Sequence, residues 1–162
     1  MTIAGQLLLG GIVTALAIIA QAGFIAFAFA IAHRIVPLRF RQTRTGATAM
    51  LAAATLWMLG ALSVAAWLWA GLFMYLGAFD ALEPSLYFAT VSLTTLGFGD
   101  VILSDDVRLL SAIVAANGLL MFGLSTAFMI EFVNNVRKDE QDWPTRSSSR
   151  SSDKIRQPPL GI

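Results

Sequence analysis

The chain has 162 residues, of which 57% are hydrophobic and only 13% are charged, and its formal net charge at pH 7 is +1. This composition is too apolar for a soluble domain of that size, so it predicts an integral membrane protein. The small net charge gives no strong attraction to nucleic acid, and the lack of cysteine excludes disulfides and thiolate metal sites.

The first predicted element is a transmembrane helix over residues 1–33. No charged residue occurs from Thr2 to Ala32, and this run would extend about 46 Å as a helix, which is enough to cross a bilayer. We do not expect a cleaved signal peptide, because no basic segment precedes the apolar run and the run is too long.

A short basic connector, residues 34–46, comes next. It contains four of the eleven Lys and Arg residues together with a helix-breaking proline. Basic connectors lie on the cytoplasmic side of membranes, so we expect the first helix to run inward and the second to run outward.

The second spanning helix is predicted over the uncharged stretch from Ala47 to Phe79. Most of its aromatic residues lie toward its end, which is typical of the outer membrane interface, although packing against a neighbouring subunit explains them equally well. An acidic turn follows, and Pro84 is predicted to be the first residue of a new helix.

This new helix, predicted over residues 85–95, is too short to cross the membrane. It would extend about 15 Å, half the thickness of a bilayer, so the chain must enter the membrane and return. Irregular backbone at membrane depth is tolerated only where protein buries it or where it lines a wet cavity. Residues 95–100 must therefore lie on a protected axis.

The returning segment carries a glycine motif, Thr-Thr-Leu-Gly-Phe-Gly-Asp at residues 94–100. A short Gly-x-Gly pattern in a soluble chain is usually a turn, but the long uncharged flanks here favour an ion-selectivity filter, in which backbone carbonyls replace the water shell of a cation. The predicted ligands are the carbonyls of Thr95, Leu96, Gly97 and Phe98, with the Thr95 hydroxyl at the inner end. Three residues are predicted to support them: Thr94 through a structural hydrogen bond, Gly99 through its conformational freedom and Asp100 at the outer mouth.

The sequence SLYFATVSLTTLGFGD, from Ser85 to Asp100, resembles the pore helix and filter of tetrameric potassium channels. Within that family the chain is most similar to the bacterial two-transmembrane type of pore, with an extra N-terminal helix. The resemblance implies a homotetramer in which four loops enclose one pathway for K⁺. It also implies that Tyr87 and Phe88 brace the filter.

Two filter residues depart from the commonest pattern of that family. Leu96 stands in place of valine and Phe98 in place of tyrosine. Because ion ligation uses the backbone, we expect it to survive both changes. The packing behind the filter is the feature that we expect to differ.

A third spanning helix is predicted over residues 107–136 and runs inward. Gly118 and Gly123 resemble the inner-helix glycines of the potassium channel family. Glycine weakens a helix locally, so Gly118 is either a gating hinge or a point of close helix packing.

Three polar side chains in this last helix are candidate cavity or gate residues. Asn117 and Thr126 are expected to face a water-filled cavity, because polar groups in a membrane segment avoid lipid. Glu131 is expected either to line the inner gate or to pair with Arg137 or Lys138 of a neighbouring copy.

The remaining residues, 137–162, form a serine-rich tail that is expected to be disordered. The tail carries six Lys and Arg residues and the first connector four, which leaves only Arg108 for the opposite side. By the positive-inside rule the N-terminus is outside and the C-terminus cytoplasmic, and the resemblance to bacterial pores implies a bacterial inner membrane. Five acids are then predicted to form an outer rim that concentrates cations: Asp80, Glu83, Asp100, Asp105 and Asp106. Asp105 and Asp106 are equally well explained as caps of the last helix.

The sequence therefore predicts an all-α membrane protein with three transmembrane helices, a re-entrant pore helix and a filter loop. Residues 47–136 form the pore domain, and the predicted function is passive, selective conduction of K⁺. The alternatives are a weakly selective monovalent cation channel and a non-conducting membrane subunit. No catalytic set or cofactor site is visible, so the expected partners are the lipid bilayer, further copies of the chain and K⁺, without nucleic acid.

Overall fold

The computed structural model describes the backbone of residues 1–35 and 44–155, which form four α-helices. These are α1 (Ile3–Ile35), α2 (Arg44–Tyr75), α3 (Leu82–Leu93) and α4 (Leu109–Ile155). Three helices contain a stretch that is long and apolar enough to cross a membrane: Ile3–Ile31, Thr48–Tyr75 and Leu109–Asn134. The described residues contain no strand. The predicted class, an all-α membrane protein, is confirmed.

The short helix α3 begins earlier than predicted. It starts at Leu82, so Pro84 occupies the third helical position rather than the first. The shift is tolerated because the amide groups of the first helical turn have no partner within the helix, so a proline at this position removes no helical hydrogen bond. At about 18 Å, twelve residues of α3 remain too short to cross a bilayer.

The inner helix α4 extends much further than predicted. The segment for which we predicted a disordered tail is helical as far as Ile155. Each residue added to an existing helix gains a backbone hydrogen bond without a new nucleation step, so the spanning part of α4 can propagate into polar sequence. Residues 156–162 of the tail and residues 36–43 of the connector lie outside the described residues.

The long helices lie side by side, with α1 parallel to α4 and antiparallel to α2. Gln6 of α1 contacts Leu109 at the start of α4, and Gln21 contacts Met121 further along it. The indole Nε1 of Trp57 in α2 donates a hydrogen bond of 2.8 Å to the carbonyl of Phe24. Helix α1 is therefore in direct contact with both other spanning helices.

Two clusters of buried side chains divide the bundle along its length. The larger surrounds α3 and includes Trp69, Phe73, Phe88, Leu93 and Leu110. The smaller joins the start of α2 to the later part of α4 and consists of Met50, Ala54, Met58, Phe128 and Phe132. Because the larger cluster draws on all four helices, it fixes α3 firmly within the bundle.

Candidate functional site

The base of the candidate site is α3, which is attached to α2 by a polar and an aromatic contact. The hydroxyl of the buried Ser85 donates a hydrogen bond of 2.9 Å to the carbonyl of Ala70. The ring of Phe88 packs edge-on against Phe73 with a centroid distance of 5.3 Å and an interplanar angle of 75°, a favourable aromatic geometry. Phe88, predicted to brace the filter, thus lies in the core beneath it.

The C-terminal end of α3 presses against Gly118 of α4. A Cβ atom on Gly118 would overlap the carbonyl oxygen of Leu93 and would lie only 2.7 Å from its carbonyl carbon. Gly118 is about 14 Å along α4 from Leu109, which is close to half the thickness of a bilayer. Helix α3 therefore ends near the middle of the span, and of the two roles considered for Gly118 this contact supports close packing.

Helix α3 ends in a Schellman turn that places a threonine where glycine is usual. The amide of Thr95 donates to the carbonyl of Ser92, and that of Leu96 to the carbonyl of Val91, each at 3.0 Å, which is the hydrogen-bond pattern of this turn. Thr95 has a φ of +58°. A β-branched residue in the left-handed region is strained by about 1–3 kcal/mol, and such strain concentrates at functional sites.

The end of α2 provides an internal comparison for this turn. There the amides of Gly77 and Ala78 donate to the carbonyls of Met74 and Phe73 at 3.0 and 2.9 Å, and Gly77 has a φ of +66°. The same hydrogen-bond pattern is thus made with glycine in α2 and with Thr95 in α3. A glycine is compatible with the turn, so the threonine side chain is not required by the backbone geometry.

The loop that follows alternates in backbone handedness. Thr95, Gly97 and Gly99 have φ values of +58°, +53° and +78°, whereas the intervening Leu96 and Phe98 do not have positive φ. A backbone in which φ alternates in sign can turn successive amide N–H groups to one side of the chain and their carbonyls to the other. Such a row of carbonyls is chemically suited to replace the water shell of a cation.

A hydrogen bond connects the far end of the loop back to α3. The hydroxyl of Tyr87 donates to the Oδ2 atom of Asp100 at 2.7 Å. This bond raises the pKa of Tyr87, because ionising the phenol would break it and place two negative charges side by side. The structure thus brings together two of the predicted supporting residues. The hydroxyl of Thr94 donates to the carbonyl of Thr90, one turn earlier in α3, at 2.8 Å; threonines commonly make this bond along membrane helices, so a role of Thr94 in supporting the filter stays a prediction.

The hydrophobic side chains of the loop remain uncovered in a single chain. Leu96 is 60% exposed and Phe98 is 66% exposed. Behind the loop, a groove of about 350 Å³ runs between the second half of α3 and the start of α4, with Val91 and Ala115 among its lining residues. A single chain therefore leaves the irregular backbone of the loop and its apolar side chains uncovered at membrane depth.

The prediction that Asn117 faces a water-filled cavity is wrong. Its side chain is fully buried, and neither polar atom of its amide has a hydrogen-bond partner among the described residues. The close approach of Leu93 to the neighbouring Gly118 explains why this position is closed to solvent.

The other candidate gate residues are accessible. Thr126 is exposed, donates a hydrogen bond of 2.9 Å to the carbonyl of Phe122 and lines a groove of about 410 Å³ beside α2. Glu131 is also exposed. The side chains of Arg137 and Lys138, its predicted partners, lie outside the described part of the chain, so that pairing stays a prediction.

Two glutamines of α1 make contacts that sequence reasoning missed. Gln6 bridges the carbonyl of Asp106 and the amide of Leu109 at 2.9 and 3.1 Å, and Gln21 reaches into the middle of α4. Both were visible in the sequence as polar residues within an uncharged span, which need a partner away from lipid. The identity of that partner, about 100 positions away, was not visible.

Comparison with known proteins identifies the family of this domain. Residues 49–135 match a protein-family model described as an ion channel, whereas no curated protein and no solved structure shows significant similarity to the chain. The matched region covers more than half of the chain and includes most of α2, all of α3, the loop and the spanning part of α4, but not α1. The match points to a channel rather than an enzyme. The chain thus belongs to the ion channel family, with residues 49–135 as its channel domain.

Proposed function

We propose that the protein is a potassium-selective channel in which four copies of the chain surround one axis and K⁺ passes along the carbonyls of residues 95–98. The observation that carries the proposal is the alternating backbone of Thr95, Gly97 and Gly99, located after a helix that ends halfway through the membrane. This combination supplies inward carbonyls at the depth where an ion is furthest from water.

The exposure of the loop supports assembly into a ring. Lipid offers no hydrogen bonds to irregular backbone, so a loop at this depth requires cover by protein or by an aqueous pore. In a ring, neighbouring copies would cover Leu96 and Phe98, which are exposed apolar side chains of residues 95–100, while the carbonyls would face the axis. The exposed apolar side chains of α4, such as Leu119 and Ile130, then meet either lipid or a neighbour.

The electrostatics of the loop favour a cation. The C-terminal end of α3 carries the negative end of its helix dipole and lies near the membrane centre. Asp100 holds a carboxylate at the opposite end of the loop, where the Tyr87 hydroxyl is its donor among the described residues. Arg108 is paired with Asp105 at 3.3 Å in an exposed salt bridge, which reduces the repulsion that it would exert on an approaching cation.

Potassium selectivity is the finer part of the proposal, and a weakly selective cation channel is the alternative. Phe98 has no hydroxyl that could attach the loop to α3. Among the described residues, the hydrogen bond between Tyr87 of α3 and Asp100 of the loop makes this attachment. The charge distribution further supports an external N-terminus and a cytoplasmic C-terminus in a bacterial inner membrane. K⁺ is in this account the permeant species and not a resident cofactor.

The proposal is tested by flux into liposomes containing the purified protein. We expect the wild type to take up rubidium and Gly97→Ala to lose that uptake while keeping its oligomeric state, because alanine at a φ of +53° is strained. The matched control is Gly71→Ala, since Gly71 lies within α2 and its new Cβ would meet no atom within 4 Å. Equal uptake by both variants would refute the filter assignment, and no uptake by wild type would support the non-conducting alternative.

A further inference from the structure

Helix α1 lies outside the matched channel domain but is packed along α4 of that domain. The side chain of Gln6 caps the start of α4 by accepting a hydrogen bond from the amide of Leu109 at 3.1 Å. One turn later the helices touch at Gly10, where a Cβ would lie 2.7 Å from the Cδ1 atom of Ile113. Polar and tight apolar contacts therefore hold α1 against α4 from its first turns.

The most informative contact of α1 is made by Gln21. Its Nε2 atom donates to the carbonyl of Met121 at 2.8 Å and to the hydroxyl of Ser125 at 2.9 Å. These two acceptors lie on either side of Gly123. The side-chain amide of Gln21 therefore spans the turn of α4 that contains Gly123.

Gly123 and Gly118 differ sharply in their surroundings. A Cβ on Gly123 would meet no atom within 4 Å, whereas one on Gly118 would overlap the end of α3. A bend at Gly118 would have to displace the base of the filter, but a bend at Gly123 meets no such obstacle within the chain. Glycine lowers the resistance of a helix to bending, so Gly123 is the freer hinge.

We propose that α1 acts as a splint on the inner helix, with Gln21 as the positioning residue that resists bending of α4 at Gly123. Bending of α4 away from α1 at Gly123 separates the carbonyl of Met121 from the hydroxyl of Ser125, so Nε2 of Gln21 loses at least one of its two acceptors. Gln21 is almost fully buried and its Oε1 atom already lacks a partner among the described residues. Breaking one of the two bonds therefore leaves a buried amide donor short of an acceptor. This inference rests on the proposed function where it concerns conduction and the assembly of copies that brings the labels together.

The splint is tested by a distance measurement that does not depend on ion flux. The chain contains no cysteine, so a spin label at Asn134→Cys, an exposed position, is unique in each copy of the full-length protein. We expect Gln21→Met to broaden the distances between labels in reconstituted protein and to raise the ratio of open to closed channels about two- to tenfold, the factor of one hydrogen bond. Ser125→Ala removes one of the two acceptors and should give a smaller shift of the same kind.

The matched control is Thr14→Val, which removes a buried hydroxyl of α1 that has no partner among the described residues. It should leave label distances and channel opening unchanged, and Gly123→Ala should narrow the distances. Unchanged distances and opening in both Gln21→Met and Ser125→Ala would overturn the splint. A wild type that conducts no ions, but in which Gln21→Met still broadens the distances, would overturn the proposed function and leave the splint standing.

Discussion

The contact between α3 and α4 predicts that a substitution to alanine destabilises the protein at Gly118 but stabilises it at Gly123, in the same helix. In Gly118→Ala the new methyl group would overlap the carbonyl oxygen of Leu93 and approach its Cα atom to 3.0 Å. These are backbone atoms at the base of the filter, so they cannot swing aside as a flexible side chain would. Overpacking of this kind costs about 1–3 kcal/mol.

The same substitution at Gly123 should be stabilising. No atom lies within 4 Å of its new Cβ, and alanine is better than glycine in a helix by about 0.5–1 kcal/mol. Both variants gain the same helix propensity, so we expect their unfolding free energies to differ by about 1–3 kcal/mol, which is the cost of overpacking at Gly118. Thermal unfolding in detergent, followed by circular dichroism, measures the difference, and rubidium uptake shows whether the displaced Leu93 also impairs conduction. Equal melting temperatures for Gly118→Ala and Gly123→Ala would refute the close packing of α3 on α4.

Three further substitutions test the attachment of the loop. Ser85→Ala should lower the unfolding free energy by about 0.5–1.5 kcal/mol, because it removes the buried bond to Ala70. Ser63→Ala, which removes only an exposed bond within α2, should change the unfolding free energy by less than about 0.5 kcal/mol. A larger loss in this control would contradict the conclusion that the buried bond of Ser85 contributes more to stability than the exposed bond of Ser63. Tyr87→Phe deletes the bond to Asp100, so single-channel recordings should show shorter openings at unchanged unitary conductance; unaltered open times would argue against this tie. Thr95→Gly should raise thermal stability by relieving the strained φ while reducing rubidium uptake, because the hydroxyl ligand is lost; lower stability would show that Thr95 is not strained.

The features that could be predicted from the sequence are those set by length and charge. Three uncharged runs and one helix of about half the bilayer thickness are sufficient to give the spans and the re-entrant loop, because lipid tolerates few other arrangements. The bond of Thr94 to the preceding turn of α3 is one that threonines make in many membrane helices, so it does not test the predicted filter role.

The features that could not be predicted depend on contacts between distant segments. Asn117 is polar and lies in a spanning helix, but its burial is decided by Leu93 pressing on the neighbouring Gly118. The partners of Gln21 depend on how α1 docks, which no local pattern encodes. The positive φ of Thr95 opposes its intrinsic preference, because hydrogen bonds of the Schellman turn fix it. Functional and tertiary constraints override local propensity at each of these positions.

The central claim, selective passage of K⁺ along the filter loop, is tested most directly by the reversal potential of single channels in a planar bilayer with K⁺ on one side and Na⁺ on the other. We predict that the current reverses far from zero, at a voltage that opposes the flow of K⁺ toward the Na⁺ side, and that Gly97→Ala carries no current. A reversal potential of zero with equal concentrations of the two ions would contradict potassium selectivity, and wild-type current through Gly97→Ala would contradict the assignment of the pathway to this loop.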